Sequence, residues 1–168
     1  MYFKDLDICT YHTGPFDAKN WAAPLLAVGW LEHPHEFTAG DSPNGLLLRL
    51  NQLVEQTRST YSHYTFRGGA DCSYCLAAHL KSPGPIWSQE NIFVPGSDAI
   101  YVAPGGIVHY VETHSYLPPT DFIDSVLRCP DFHSKEYAEA LRISNNGVDS
   151  PLKSTEQFDA WVRSFQRK

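Results

Sequence analysis

The stretch NIFVPGSDAIYVAPGGIVHYVETH, residues 91–114, holds two periodicities back to back. Asn91–Pro95 and Ala99–Ala103 are short apolar runs rich in β-branched and aromatic residues. Gly96-Ser97-Asp98 joins them, the pattern of a β-hairpin closed by a loop of about three to five residues. Pro104 then predicts the start of a helix through Gly105–Thr113, and Pro118-Pro119 stops the chain from continuing it. A strand pair feeding directly into a helix makes the fold class α+β: a small antiparallel sheet with this hairpin at its centre, packed by several helices.

Upstream, residues 1–40 read as irregular to extended, broken by Gly14-Pro15, Pro24, Gly29 and Pro34, with a short strand within Leu25–Leu31 (LLAVGWL). The first strong helix follows Asp41-Ser42-Pro43. Ser42 is its expected N-cap and Pro43 its first residue, and Leu46, Leu47, Leu50, Leu53, Val54 and Thr57 form its apolar face. Tyr61–Phe66 alternates like a half-exposed strand and ends at Gly68-Gly69. Downstream, Thr120 is the expected cap of a helix over Thr120–Arg128, with Phe122, Ile123, Val126 and Leu127 as its stripe. Ser134–Ile143 and Thr155–Phe165 open on a hydroxyl cap followed by an acidic residue. Residues 1–168 are expected to form a single domain, in which the polar stretch 144–154 links a C-terminal helix.

The 168 residues carry 13 basic and 19 acidic side chains, a formal charge of −6, and 42% are hydrophobic. That is enough apolar matter for a packed core, while the acidic balance argues against a dedicated nucleic-acid binder, which needs cations along the phosphates. The longest apolar stretch, Trp21–Leu31, is about half of the ~20 residues that a bilayer span demands, and Met1–Thr10 offers no signal-peptide core. A cytoplasmic protein with no membrane partner is expected.

The sharpest chemical signal is Cys72-Ser73-Tyr74-Cys75 followed by His109-(x4)-His114. Cys-x2-Cys places two thiolates on one turn, and paired histidines at this spacing close Cys₂His₂ zinc sites. Cys72, Cys75, His109 and His114 are therefore the expected metal ligands and zinc the expected cofactor. His79, three residues beyond Cys75, is the alternative ligand. On an ideal helix positions five apart are ~140° out of phase, so the last turn before Ser115 must loosen to bring both rings to one ion. A redox reading remains beside the zinc one, with Cys72 at the N-terminus of a helix over Leu76–Lys81, although Asp71 would oppose a thiolate there. His33 and His35, with His12 or Asp41, make a weaker second metal cluster. His63 and His133 carry no framed motif, and Cys9 and Cys129 read as isolated core residues.

Several stretches together resemble an uncharacterised family of small bacterial cytosolic proteins carrying CxxC and HxxxxH, to which no activity is attached. They are Met1–Leu6, Val28-Gly29-Trp30-Leu31 with His35, Phe37 and Gly40, the CxxC, and Ile100–Pro104 running on to His109, Tyr110, Val111 and His114. Pro118-Pro119, Phe122 and Val126 extend the resemblance to about residue 130. It implies that the two cysteines and two histidines are a family feature and implies no reaction.

Two functions of different class follow. One is a non-catalytic protein-interaction module, whose zinc is structural and whose nine tyrosines and four tryptophans suit docking to another protein, an immunity or antitoxin-like role being one version. The other is a zinc-dependent hydrolase with an open metal site, using Glu112 or the His33/His35 cluster as its acid–base group. No nucleophile elbow, phosphate loop or dinucleotide fingerprint is present, so no catalytic residue is assigned.

Overall fold

The computed structural model describes residues 1–11, 18–61, 71–79, 90–132 and 134–166. The hairpin forms as its sequence reads. Strand β2 (Asn91–Pro95) runs antiparallel to β3 (Ile100–Pro104), with Phe93 opposite Val102 and the Gly96 N–H closing the loop on the Ala99 carbonyl. Strand β1 (Leu25–Ala27) lies on the other side of β3 and runs parallel to it, giving a three-stranded sheet in the order β1-β3-β2. The sheet is therefore mixed rather than wholly antiparallel. Parallel pairing needs a long crossover, which the chain between β1 and β2 supplies. The N-terminal segment shields the free side of β1, where Leu6 and Cys9 donate to the carbonyls of Ala27 and Leu25.

Among the described residues the chain forms six α-helices, α1 (Leu46–Thr60), α2 (Ser73–Ala77), α3 (Ile107–His114), α4 (Thr120–Arg128), α5 (Lys135–Ser144) and α6 (Thr155–Gln166), of which α1, α4 and α5 pack on β2. Helix α1 buries Leu46, Leu50, Leu53, Val54 and Thr57 as its periodicity demands. It starts later than Ser42-Pro43 suggests. Pro43 begins a turn closed by the Leu46 N–H, and Gly45, at φ 87°, is the actual N-cap. Pro104 likewise ends β3 instead of opening α3, which waits until Ile107 because Gly105-Gly106 make the turn. In α4 the buried stripe is Phe122, Ile123, Ser125, Val126 and, one turn on, Cys129, while Leu127 is exposed and Pro119, not Thr120, is the N-cap. The predicted cap of α5 is correct: the Ser134 hydroxyl accepts from the Tyr137 N–H.

The residues after α5 are tied down at their start. Asn145 is fully buried, and its side-chain oxygen accepts from the N–H groups of Ala22 and Ala23. Ser144 donates to the Gly96 carbonyl at the hairpin tip. Helix α6 is anchored where Thr155 donates to the carbonyl of Thr60, the last residue of α1. Among the described residues, no helix is long and apolar enough to cross a membrane. The expected strand at 61–66 and the residues His12, His63, Gly68, Gly69 and His133 lie outside the described residues.

The placement of α3 depends on a close approach behind β1. Trp30 Nε1 and the Val28 N–H both donate to the Val102 carbonyl on the central strand. Between them Gly29 sits at φ 72°, its N–H on the Asp5 carboxylate, and a Cβ there would meet Ile107 Cγ1 at 2.7 Å. Both the left-handed backbone and the contact with the first residue of α3 require glycine. Gly29→Ala is expected to cost about 1–3 kcal/mol, read as a lowered urea midpoint. An unchanged midpoint would show that Ile107 does not fix α3 against this turn.

Candidate metal centre

The CxxC folds as a short helix with Cys72 as its N-cap: Cys72 is extended, and its sulfur accepts from the Cys75 N–H at 3.5 Å. Cysteine takes the role that a capping Ser or Asp usually plays, which turns both sulfurs to one side of α2. The helix begins at Ser73, a turn earlier than the Leu76–Lys81 helix of the redox reading, and ends at Ala77. Both cysteines are buried, at 0% and 1% exposure, and both are free thiols.

Helix α3 brings the histidines. Ile107, Tyr110 and Val111 form its buried stripe, and His114, two turns beyond Ile107, continues the same line at the helix end. His109 flanks that stripe. The helix stays regular through His114 and ends where the sequence places the stop. Ser115 is left-handed at φ 52°, its N–H reaches back five residues to the Tyr110 carbonyl, and the Tyr116 N–H donates to the same oxygen. A five-residue return is wider than the regular four-residue one. The two imidazoles stand with ring centroids 5.1 Å apart.

The four donor atoms converge. His114 Nε2 lies 3.2 Å from Cys72 Sγ and 3.3 Å from Cys75 Sγ, and His109 Nε2 lies 3.4 Å from Cys75 Sγ. All four ligand atoms fall within 4.8 Å of one another. Ligands ~2.0–2.3 Å from a tetrahedral zinc ion stand roughly 3.3–3.8 Å apart, so this group has the size and the donor chemistry to hold one. His79 is exposed, at φ 53°, and lies outside the group. His33, His35 and Asp41 are exposed and, among the described residues, join no second cluster. Glu112 is exposed on α3.

The electrostatics favour neutral imidazole. Burial lowers the pKa of His109, the neighbouring His114 lowers it further, and Glu112 opposes both. Burial alone lowers that of His114. For Cys75 burial raises the thiol pKa, assisted by the hydrogen bond and charge of Cys72. Without a cation the pocket therefore favours thiol and neutral imidazole, and a bound divalent ion would displace the thiol proton. The other two cysteines sit apart in the core, their pKa values pushed by burial to about 11 for Cys9 and about 12 for Cys129.

Several supporting residues escape a motif reading. The Thr113 hydroxyl is 3.2 Å from His109 Nδ1, holding the ring whose Nε2 faces the sulfurs. An i, i+4 pair on a helix makes this contact legible in retrospect. Tyr74, between the cysteines, sets its ring against those of His33, Phe37, Tyr110 and His114 and donates to the His35 carbonyl at 2.5 Å. Ser73 Oγ accepts the His33 N–H, and Tyr110 donates to the Leu31 carbonyl. These tyrosine contacts run between segments far apart in sequence, where no local pattern records them.

A family model described as a domain of unknown function, DUF7919, matches residues 1–127, which include all four donors and the whole sheet. No curated protein and no solved structure matches the chain.

The lowered histidine pKa values have a consequence for the metal-free protein. A group whose folded pKa is depressed contributes stability that is present above its unfolded value, near 6.5 here, and lost as pH falls below it. After chelation the melting temperature is expected to drop as pH is lowered from about 7.5 to 5.5. The drop should be smaller in the variant His109→Gln/His114→Gln, and an equal slope in both proteins would contradict the burial of these rings.

Proposed function

The chain belongs to the DUF7919 family, and we propose that it is a zinc-binding, non-catalytic module that acts by docking to another protein. The observation that carries this reading is the convergence of Cys72, Cys75, His109 and His114 on one point. Two thiolates and two imidazoles are a preferred zinc set, and four protein ligands fill a tetrahedron. A catalytic zinc ordinarily keeps one position for water or substrate. Here the fourth place is taken by His114, and Glu112, the candidate base, is solvent-exposed on the helix. Burial raises the pKa of Cys75, which runs against activation of that thiol.

A structural ion here acts as a clip. It ties α2 to both turns of α3, closing the loop through residues 76–108, whose entropic cost is small beside a set of zinc bonds. No step of chemistry is required of it. Docking to a protein rather than to nucleic acid or membrane fits the charge of −6, and the cytoplasm, where thiols stay reduced, suits free cysteines.

The test is metal analysis of protein purified without added metal or a metal-binding tag. About one zinc per chain is expected, lost in Cys72→Ser and in His114→Ala together with a fall in melting temperature. Zinc retained in His114→Ala would mean a three-ligand, open site and would revive the hydrolase. No metal, with Cys72 and Cys75 freely reactive towards a thiol reagent, would overturn the reading.

A further inference from the structure

Segment 32–40 wraps the metal centre and is held at both ends by the two elements that the clip joins. At α2 it is held by Tyr74 and Ser73, through the His35 carbonyl and the His33 N–H. Beyond α3 the Gly40 N–H donates to the Ser115 carbonyl, the Leu117 N–H to the Thr38 carbonyl, and Ala39 bridges Tyr116. Its interior side is packed, with Phe37 edge-on to Tyr74 and Tyr116. Its outer side presents His33, His35 and Glu36 to solvent, with the Tyr2 ring stacked 3.7 Å from that of His35. Leu76 of α2 is 54% exposed.

Among the described residues, segment 32–40, α2 and α3 together carry acidic side chains and no lysine or arginine. Segments 20–48, 71–79 and 90–127 contain no lysine or arginine, so neither segment 32–40, nor α2, nor α3 carries a cationic side chain apart from histidine. Glu32 stands close enough to act electrostatically on Tyr74 and Tyr110, and Glu112 on His109. Glu36 is exposed, and Glu32 is half-exposed against the amino group of Met1. Lys4 is the exposed cation of the adjoining N-terminal segment.

Resting on the zinc reading above, we propose that the face formed by Tyr2, segment 32–40 and α2 is the docking surface, and that its partner is a protein segment rich in lysine and arginine with aromatic residues among them. The half-buried rings of Tyr2 and Tyr74 and the exposed Leu76 offer rigid apolar area, and Glu32 and Glu36 attract the partner's charge and fix its register. The clip makes the surface conditional. With α2 released from α3, the two anchor points of segment 32–40 are no longer held at a fixed distance, and the face loses its shape.

The experiment is an NMR titration of the zinc-loaded full chain with a short peptide alternating arginine and tyrosine. It is repeated on Glu32→Lys/Glu36→Lys, on the control Glu136→Lys/Glu156→Lys from α5 and α6, and on the chelated protein. Amide shifts confined to Tyr2, 32–40 and 73–77 are expected. The Glu32→Lys/Glu36→Lys pair should weaken binding about tenfold or more and the control less than about threefold, since the change in net charge is equal. Shifts centred elsewhere, or an equal loss in both pairs, would overturn the proposal. Chelation is expected to abolish the localised shifts, and their persistence in stripped protein would refute the coupling to the clip. Failure of the zinc reading shows separately, as a native protein without metal.

Discussion

Where α2 meets α3, four donor atoms lie within 4.8 Å of one another, and the segments around them depend on that junction. Helix α2 has five residues, too few to hold itself together in water. It stays helical because Cys72 caps it and because its side chains reach across to α3 and to segment 32–40. Helix α3 is positioned from its other end, where Ile107 packs against the turn at Gly29. The sheet thus aims α3 at the site, α3 delivers two imidazoles, and α2 with its two sulfurs closes over them.

Aromatic side chains extend this junction outward. Tyr74 connects the sulfur-bearing turn to His33, Phe37 and Tyr110, and Tyr116 donates to Asp5, whose carboxylate also receives the Gly29 N–H. Burial raises the pKa of Asp5 despite those two hydrogen bonds. A buried carboxyl is tolerated only where donors satisfy it, and here the donors come from the turn after β1 and from Tyr116, two residues past α3. The N-terminal segment, β1 and α3 are thereby joined on one group beside the centre.

Much of this was legible in the sequence. The hairpin, α4 and α5 follow local rules: β-branched runs about a glycine turn, apolar stripes at helical spacing, and for α5 a hydroxyl cap. The four donors were legible as well, because Cys-x2-Cys and His-x4-His are spacings set by the size of a metal ion. What eluded the sequence was tertiary in origin. Ser42 and Pro43 look like a helix start, yet the chain reverses at Gly45, a left-handed position that only glycine takes freely. Leu127 looks like core, yet α4 turns Ser125 inward and leaves Leu127 at the surface over the start of α1. The parallel pairing of β1 with β3 and the latching of segment 32–40 depend on distant partners, and single-segment periodicity does not encode them.

The most direct test of the clip is X-ray absorption at the zinc edge of protein as purified. A closed structural centre made by these side chains gives two sulfurs at ~2.3 Å and two imidazole nitrogens at ~2.0 Å, with no oxygen. A light-atom shell that needs an additional oxygen, or a sulfur count other than two, would contradict it.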